Sequence, residues 1–356
     1  MAELLLVMLI ALLVSGVGLS LYRLSYRYYA HKDALLEQNQ NLRTAMATLV
    51  RDLRMAGNGL LLPEEGLAAF QIYLPTARGG WFRHSIKSDL YGVRPIFGLD
   101  GTLEGLGPDR LTIFWAAPEA REPVARLTAA FQPGSYGRDD DLLLERSWET
   151  APAWEELIRP GDILALVHNG QGLILTAGRI KNGRLPLGEL YRPRSPLPRP
   201  GFQSFPPGAR LYNLRDFTLV TYYVDGARRR LMAEYHRGPG GRAARRQVVL
   251  AVGIEDMQLR YFLDGEKVSP ELGHEQVSES ELDGREGLRP RRIQAVNLTL
   301  VSRSSVRLSG RDDFRPLAVY NHRPGGGPDG RERRLMSETV ILRANSTGPP
   351  PGPETL

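Results

Sequence analysis

Cysteine is absent from all 356 residues. That excludes a disulfide framework, a thiolate nucleophile and a cysteine-ligated zinc site. Lysine is scarce: Lys32, Lys87, Lys181 and Lys267 are the only four, so the net charge of +6 rests on arginine. Such a skew can reflect genome base composition, and alone it does not point to an anionic partner. The histidines (His31, His84, His168, His236, His274 and His322) never stand three or four residues apart, and no HExxH occurs. A helical metal site is therefore unsupported. GxSxG is missing, and "GGGPDG" lacks the Lys-Ser/Thr of a phosphate-binding loop. The run Asp139, Asp140, Asp141 lacks the alternating spacing of a calcium loop. No catalytic residue, metal or cofactor is expected.

What the chain does have divides it in two. Leu4 to Tyr22 is uncharged for 19 residues, long enough to cross a bilayer as a helix and apolar on every side. A cleaved signal peptide is the competing reading; the missing basic n-region and cleavage site count against it. The helical pattern continues past Arg23. Tyr28, Leu35, Leu42, Met46, Leu49 and Leu53 recur on one face, and Glu37, Gln38, Gln40, Arg43, Arg51 and Arg54 occupy the other. No proline interrupts, and "AGNG" (Ala56 to Gly59) supplies a glycine stop. A continuous helix would be about 80 Å long at 1.5 Å per residue. Gly16 and Gly18 mark either a softer segment or a close-packing face between membrane helices. The stripe Leu42, Met46, Leu49, Leu53 is expected to cover a sheet of the same chain.

Glycine (38) and proline (26) make about 18% of the chain against about 12% usually, which favours many short strands joined by turns. "DRLTIFWA" (Asp109 to Ala116) is β-rich, and "GDILALVHNGQGLILTAG" reads as two strands around Asn169-Gly170. "FTLVTYYVDGARRRLMAEYH" reads as a hairpin turning at Asp225-Gly226. Three further strand candidates follow. The expected organisation is a transmembrane half-helix over 1–23, an amphipathic half over 24–57 and a β-rich domain over 58–344. That domain is one sheet or two β subdomains divided near 192–208, and residues 345–356 form a disordered tail. Arg228, Arg229, Arg230, Arg245 and Arg246 crowd one hairpin and its loop. They are the candidate anion contact; a solvated arginine-rich loop competes, and nucleic acid is not expected as a partner.

Several segments, in order, resemble one family. They are "LVRDLRMAGNG" (Leu49 to Gly59), "RPIFGLDGTLEGLGPDRLTIFWA" (Arg94 to Ala116) and "PGDILALVHNGQGLILTAG" (Pro160 to Gly178). Further on come "AVGIEDMQLRYFLDG" (Ala251 to Gly265), "IQAVNLTLVSRS" (Ile293 to Ser304) and "RRLMSETVILRA" (Arg333 to Ala344). Together they are similar to the PilW-type minor pilins of type IV pili. The resemblance implies an α+β, pilin-like fold: a long N-terminal helix, half in the membrane, packed on an antiparallel β domain. It implies a minor pilin that helps prime pilus assembly in a tip complex, with the other minor pilins, the major pilin and an inner-membrane assembly platform as partners. A J-type minor pseudopilin of type II secretion, a tip adhesive or DNA-binding module, and an anchored periplasmic enzyme are the alternatives. Pilin precursors carry a basic leader cut by prepilin peptidase, a methylated first residue and a glutamate near the mature N-terminus. Glu3 in that place gives the subunit-assembly residue and implies a leader ahead of Met1. Family members often carry a cysteine where this chain has His168. The resemblance implies a single-pass inner-membrane protein with a periplasmic domain, transferred to the pilus on assembly.

Overall fold

A computed structural model describes residues 2–56, 69–75, 81–89, 92–93, 96–99, 108–115, 123–131, 141–146, 157–169, 171–181, 183–186, 204–214, 217–235, 246–263, 265–268, 273–274, 293–307, 319 and 329–342. The glycine stop at Gly57 and Gly59, the 192–203 part of the expected divider, the 345–356 tail, Asp139, Asp140, Gly170, His236, Arg245 and His322 lie outside the described residues.

One helix, α1 (Ala2–Met55), runs without a break through both halves of the N-terminal pattern. Its second half has a 3.6-residue stripe, and that stripe is buried: Leu42, Ala45, Met46, Leu49, Val50, Leu53 and Ala56 are at most 5% exposed. Burying a leucine or methionine side chain is worth about 1.5–3 kcal/mol, so this face holds the helix on the domain. The buried line continues upstream through Gln38 and Ala34 rather than through Leu35 and Tyr28. The reason is geometric. From Leu42, steps of four upstream turn by about 40° one way and steps of seven by about 20° the other. Gln38 and Ala34 thus lie on the opposite side of Leu42 from Leu35 and Tyr28, and it is the former side that is buried. The polar expectation for Gln38 therefore fails; its Nε2 donates to Ser302 Oγ at 3.0 Å.

The strands begin with β1 (Ala69–Pro75), β2 (Trp81–Asp89), β3 (Gly92–Val93), β4 (Ile96–Leu99) and β5 (Arg110–Trp115). Next come β6 (Ala125–Leu127), β7 (Leu142–Arg146), β8 (Ile163–His168), β9 (Gln171–Thr176), β10 (Arg184–Leu185) and β11 (Arg210–Asn213). The last are β12 (Thr218–Asp225), β13 (Arg230–Tyr235), β14 (Arg246–Val252), β15 (Ile254–Leu263), β16 (Ile293–Arg303) and β17 (Arg333–Ile341). They form a nine-stranded sheet ordered β10-β7-β6-β11-β8-β9-β1-β2-β3, a five-stranded sheet ordered β14-β13-β12-β5-β4 and a three-stranded sheet ordered β15-β16-β17. All pairings are antiparallel except β1 with β9. This is the α+β architecture of a long apolar helix and an antiparallel β region.

β5 and β12 are neighbours in space, yet all of β6–β11 lies between them in sequence and belongs to the nine-stranded sheet. Two hydrophobic clusters result. One joins α1 to the five- and three-stranded sheets through Leu111, Val220, Tyr222, Leu259, Leu298 and Val340. The other, with Leu127, Leu164, Leu166, Leu175 and Leu211, fills the nine-stranded sheet. Asp109 ties β5 to β15: its Oδ2 accepts from Leu259 N at 2.7 Å, and its own N–H donates to the Met257 carbonyl at 2.8 Å.

The β8–β9 hairpin turns with Asn169 at φ 46°, a conformation asparagine tolerates better than most residues. The β12–β13 hairpin departs from the expected two-residue turn. Asp225 pairs with Arg230, so residues 226–229 form the loop, and Arg229 rather than Gly226 takes the positive φ, 51°. Asp225 Oδ1 accepts from Arg228 N at 3.2 Å, a side-chain turn that competes with a tight Asp-Gly turn.

Candidate assembly surface

From Leu6 to Tyr29 α1 is exposed all round, with Leu6, Val7, Leu12, Val14 and Leu24 between 58% and 72% exposed. Its apolar window has mean hydropathy 2.0 and none of it is buried. This half fits a single membrane anchor, because apolar surface of this extent is not left in water. Glu3 is exposed on its first turn. At Gly16 and at Gly18 an added Cβ would meet nothing within 4 Å, so packing within this chain does not require either glycine.

At the end of the apolar window stands an aromatic belt that the periodicity reading missed. Tyr22 and Tyr26 stack with ring centroids 6.5 Å apart, Tyr28 and Tyr29 meet edge to face at 5.9 Å, and Lys32 Nζ lies 4.6 Å from the Tyr28 ring centre. Tyr28, placed by its spacing on the apolar face of the helix, is 54% exposed; it lies on the anchor side of His31, the first helix residue with an ion pair to the sheets. Tyrosines interleaved with Arg23 and Arg27 suit a headgroup layer, where a ring is half dry and its hydroxyl wet. The legible signal was "YRLSYRYYAHK".

Below the belt, polar contacts fix the helix on the sheets. His31 Nε2 lies 3.9 Å from Glu332, Arg334 Nη1 donates to Asn39 Oδ1 at 2.8 Å, and Arg54 Nη2 lies 3.8 Å from Glu338. The deepest contact is Asp52, 2% exposed, whose Oδ2 accepts from Tyr222 Oη and whose Oδ1 accepts from Arg51 Nε at 2.8 Å. Burial first, then the hydrogen bond to Asp52, pushes the Tyr222 phenol well above its ordinary range. A phenol raised in this way contributes stability that is complete below the unfolded value of about 10 and lost as pH rises above it. Urea midpoints are thus expected to fall between pH 9 and pH 11, and Tyr222→Phe should flatten that slope. At pH 8 the same variant should cost about 1–3 kcal/mol, since Asp52 loses a buried donor. An unchanged alkaline slope would exclude Tyr222 as its source.

The described candidate anion residues, Arg228, Arg229, Arg230 and Arg246, are not all brought together. Arg228 and Arg229 lie in the exposed loop and Arg230 is half-buried at the start of β13. Arg246 is exposed at the far end of the ladder, where it pairs with Tyr235 while Arg230 pairs with Val252. Five residues of strand at about 3.3 Å each separate the two ends. Sequence reasoning also missed a charged knot on the three-stranded sheet. Arg333, 3% exposed, donates from Nε to Glu255 at 2.7 Å and from Nη2 to Asp329 at 2.9 Å; Arg303 reaches the same two carboxylates. Burial raises the Asp329 carboxyl, but the hydrogen bonds from Arg333 and Arg331 N outweigh it and leave the group below its usual range. His168 is half-buried beside its turn. Among the described residues no His, Asp and Glu group is arranged to hold a metal.

Residues 221–344 match the family model PilW, described as Type IV Pilus-assembly protein W. The match spans 124 of the 356 residues, and this segment is similar to the PilW family. The matched segment holds most of β12, all of β13–β17, the charged knot and Tyr222. No curated protein and no solved structure matches the chain. The similarity supports a part in type IV pilus assembly, and the matched segment includes three of the strands that meet α1.

Proposed function

We propose that this chain is a PilW-type minor pilin that primes type IV pilus assembly within a tip complex of minor pilins. It is anchored by residues 1–23, continues as an amphipathic half-helix over 24–57, and carries a periplasmic β region over 58–344. The observation behind the reading is one uninterrupted helix, bare and lipid-soluble over one half and buried against this chain's own sheets over the other. Such a helix can pass from bilayer to a filament of packed helices without the domain unfolding, because apolar surface is covered in both places. Its partners are then the other minor pilins, the major pilin and the inner-membrane platform, with prepilin peptidase processing a leader. Chemistry plays no part; the work is docking.

The test is deletion of the gene followed by counting surface pili by electron microscopy. Pili are expected to fall at least tenfold while the major pilin stays in the membrane, and the full gene supplied in trans should restore them. Normal pilus numbers in the deletion strain would refute the priming role. Loss of protein secretion with pili intact would transfer the reading to the J-type pseudopilins.

A further inference from the structure

The contacts along α1 give the domain a direction. Gln38 and Asn41 reach Ser302 and the Val252 carbonyl, and His31 reaches Glu332, whereas Asp52 and Arg54 reach Tyr222 and Glu338. The bare apolar half lies on the low-numbered side of His31. The loop at 226–229, Gly253, the end of β16 and the start of β17 therefore form the end of the domain that faces the anchor. Backbone hydrogen bonds join them: Gly253 N donates to the Arg229 carbonyl, Arg303 N to the Gly253 carbonyl and Ser304 N to the Glu332 carbonyl, each at 2.8 Å.

Charge at this end is unbalanced. Glu255 and Asp329 are taken up by Arg303 and Arg333, and Glu332 by Arg334 and His31. Asp225 Oδ2 stands 3.9 Å from Arg228, whose side chain is 73% exposed. Arg229 and Arg331 have no carboxylate partner among the described residues; Arg331 Nη1 donates to the carbonyls of Ser304 and Ser305. Burial and the nearby Arg229 hold the Arg303 guanidinium below its ordinary range, a sign of crowded cations. Arg229 also sits at φ 51°, where an L residue is strained and glycine is not.

We propose that this end of the domain rests on the anionic headgroups of the membrane that α1 enters. Arg228, Arg229 and Arg331 contact lipid phosphate, and Arg23, Arg27 and Lys32 extend the same field down the helix. The reach is adequate. With α1 along the bilayer normal, the headgroup layer extends about 5–7 Å past the hydrocarbon. His31, level with Glu332 beside Arg331, follows Tyr22 by about 14 Å of helix. Asn41, which meets Val252 at the base of the 226–229 loop, follows it by about 28 Å. The remaining gap for Arg331 is about 7–9 Å, close to one Debye length at physiological salt. For the base of the loop it is about 21–23 Å, which the four loop residues and the length of an arginine side chain shorten. A tilt of about 20° closes it further on one side. Nucleic acid is the lesser candidate for the same cations, because the loop faces the anchor and Arg246 is at the opposite end. The inference rests on the anchor half of the proposed function and not on pilus assembly.

Since the chain has no cysteine and a Cβ at Gly226 meets nothing within 4 Å, Gly226→Cys gives a single labelling site in the loop. The labelled full chain is placed in phosphatidylcholine vesicles with or without about 30% phosphatidylglycerol, with a quencher on the headgroups. Co-flotation with the vesicles reports the anchor, and quenching reports docking. Quenching is expected with phosphatidylglycerol and is expected to disappear in pure phosphatidylcholine and in high salt. Arg228→Gln combined with Arg229→Gly should lower the docked-to-free ratio about fivefold per cation removed. Lysine at both positions should preserve it. Equal quenching in both lipids, or quenching untouched by the charge removal, would overturn the proposal while leaving the anchor standing. Failure to float would overturn both. A label that responds to duplex DNA and not to phosphatidylglycerol would reassign the loop to nucleic acid. Loss or retention of pili in the deletion strain bears on none of these outcomes.

Discussion

Leu49→Ala is expected to destabilise the helix-and-sheet core by about 2–5 kcal/mol, with Leu53→Ala in the same range. Both side chains are 0% exposed and lie in one cluster with Leu111, Val220, Leu259 and Leu298, drawn from two sheets as well as α1. α1 packs against strands of both the five- and the three-stranded sheet, so a cavity opened on its buried face lies in the core the two sheets share. The control is Leu12→Ala, the same chemical change on a residue 72% exposed in the apolar half. Urea unfolding of the detergent-solubilised full chain, followed by circular dichroism, should move for Leu49 and Leu53 and stay within about 0.5 kcal/mol for Leu12. Equal shifts at Leu12 and Leu49 would mean that the two halves of α1 do not differ as described.

The contrast between Leu12 and Leu49 was legible before any coordinates, because it depends on period and charge alone. A 19-residue uncharged run and a stripe at steps of three and four each define a local environment. The β hairpins were legible for the same reason, as alternation bounded by turn residues. What periodicity could not supply was anything set by a distant partner. Gln38 is polar by type and buried by position, because Ser302, 264 residues away, supplies its acceptor. Asp52 carries no warning of burial in the sequence; Tyr222 and Arg51 make that burial affordable. The pairing of β5 with β12 across six intervening strands is likewise invisible to local pattern. Residues close in sequence were also misjudged as neighbours in space: Arg228 and Arg246 looked like one cluster, and an antiparallel ladder puts them at opposite ends. The candidate assembly surface followed the same division. Its apolar extent could be read directly, whereas the role expected of Glu3 came from the pilin resemblance alone and the tyrosine belt, Tyr28 apart, was passed over because periodicity does not register it.

Glu3→Ala is expected to leave folding intact and to abolish the assembly role. The side chain is exposed on the first turn of α1 and lies far from both hydrophobic clusters, so circular dichroism and urea midpoints should match the parent. In a filament of packed apolar helices the same carboxylate would be removed from water, and an uncompensated charge there costs several kcal/mol. The cost disappears if a cation meets it. The pilin resemblance supplies one, the free α-amino group at the mature N-terminus of a neighbouring subunit. That pairing exists only between subunits, which is why its loss would act on docking alone. With the complete gene carrying Glu3→Ala, surface pili should fall to the level of the deletion strain, and co-purification of the other minor pilins should be lost at normal protein levels. Glu3→Gln separates charge from hydrogen bonding: it should also fail to assemble, because a neutral amide cannot neutralise an ammonium group. Pilus numbers and partner recovery equal to the parent for both variants would place Glu3 at the headgroup level as a bystander, where a charge remains hydrated and needs no partner.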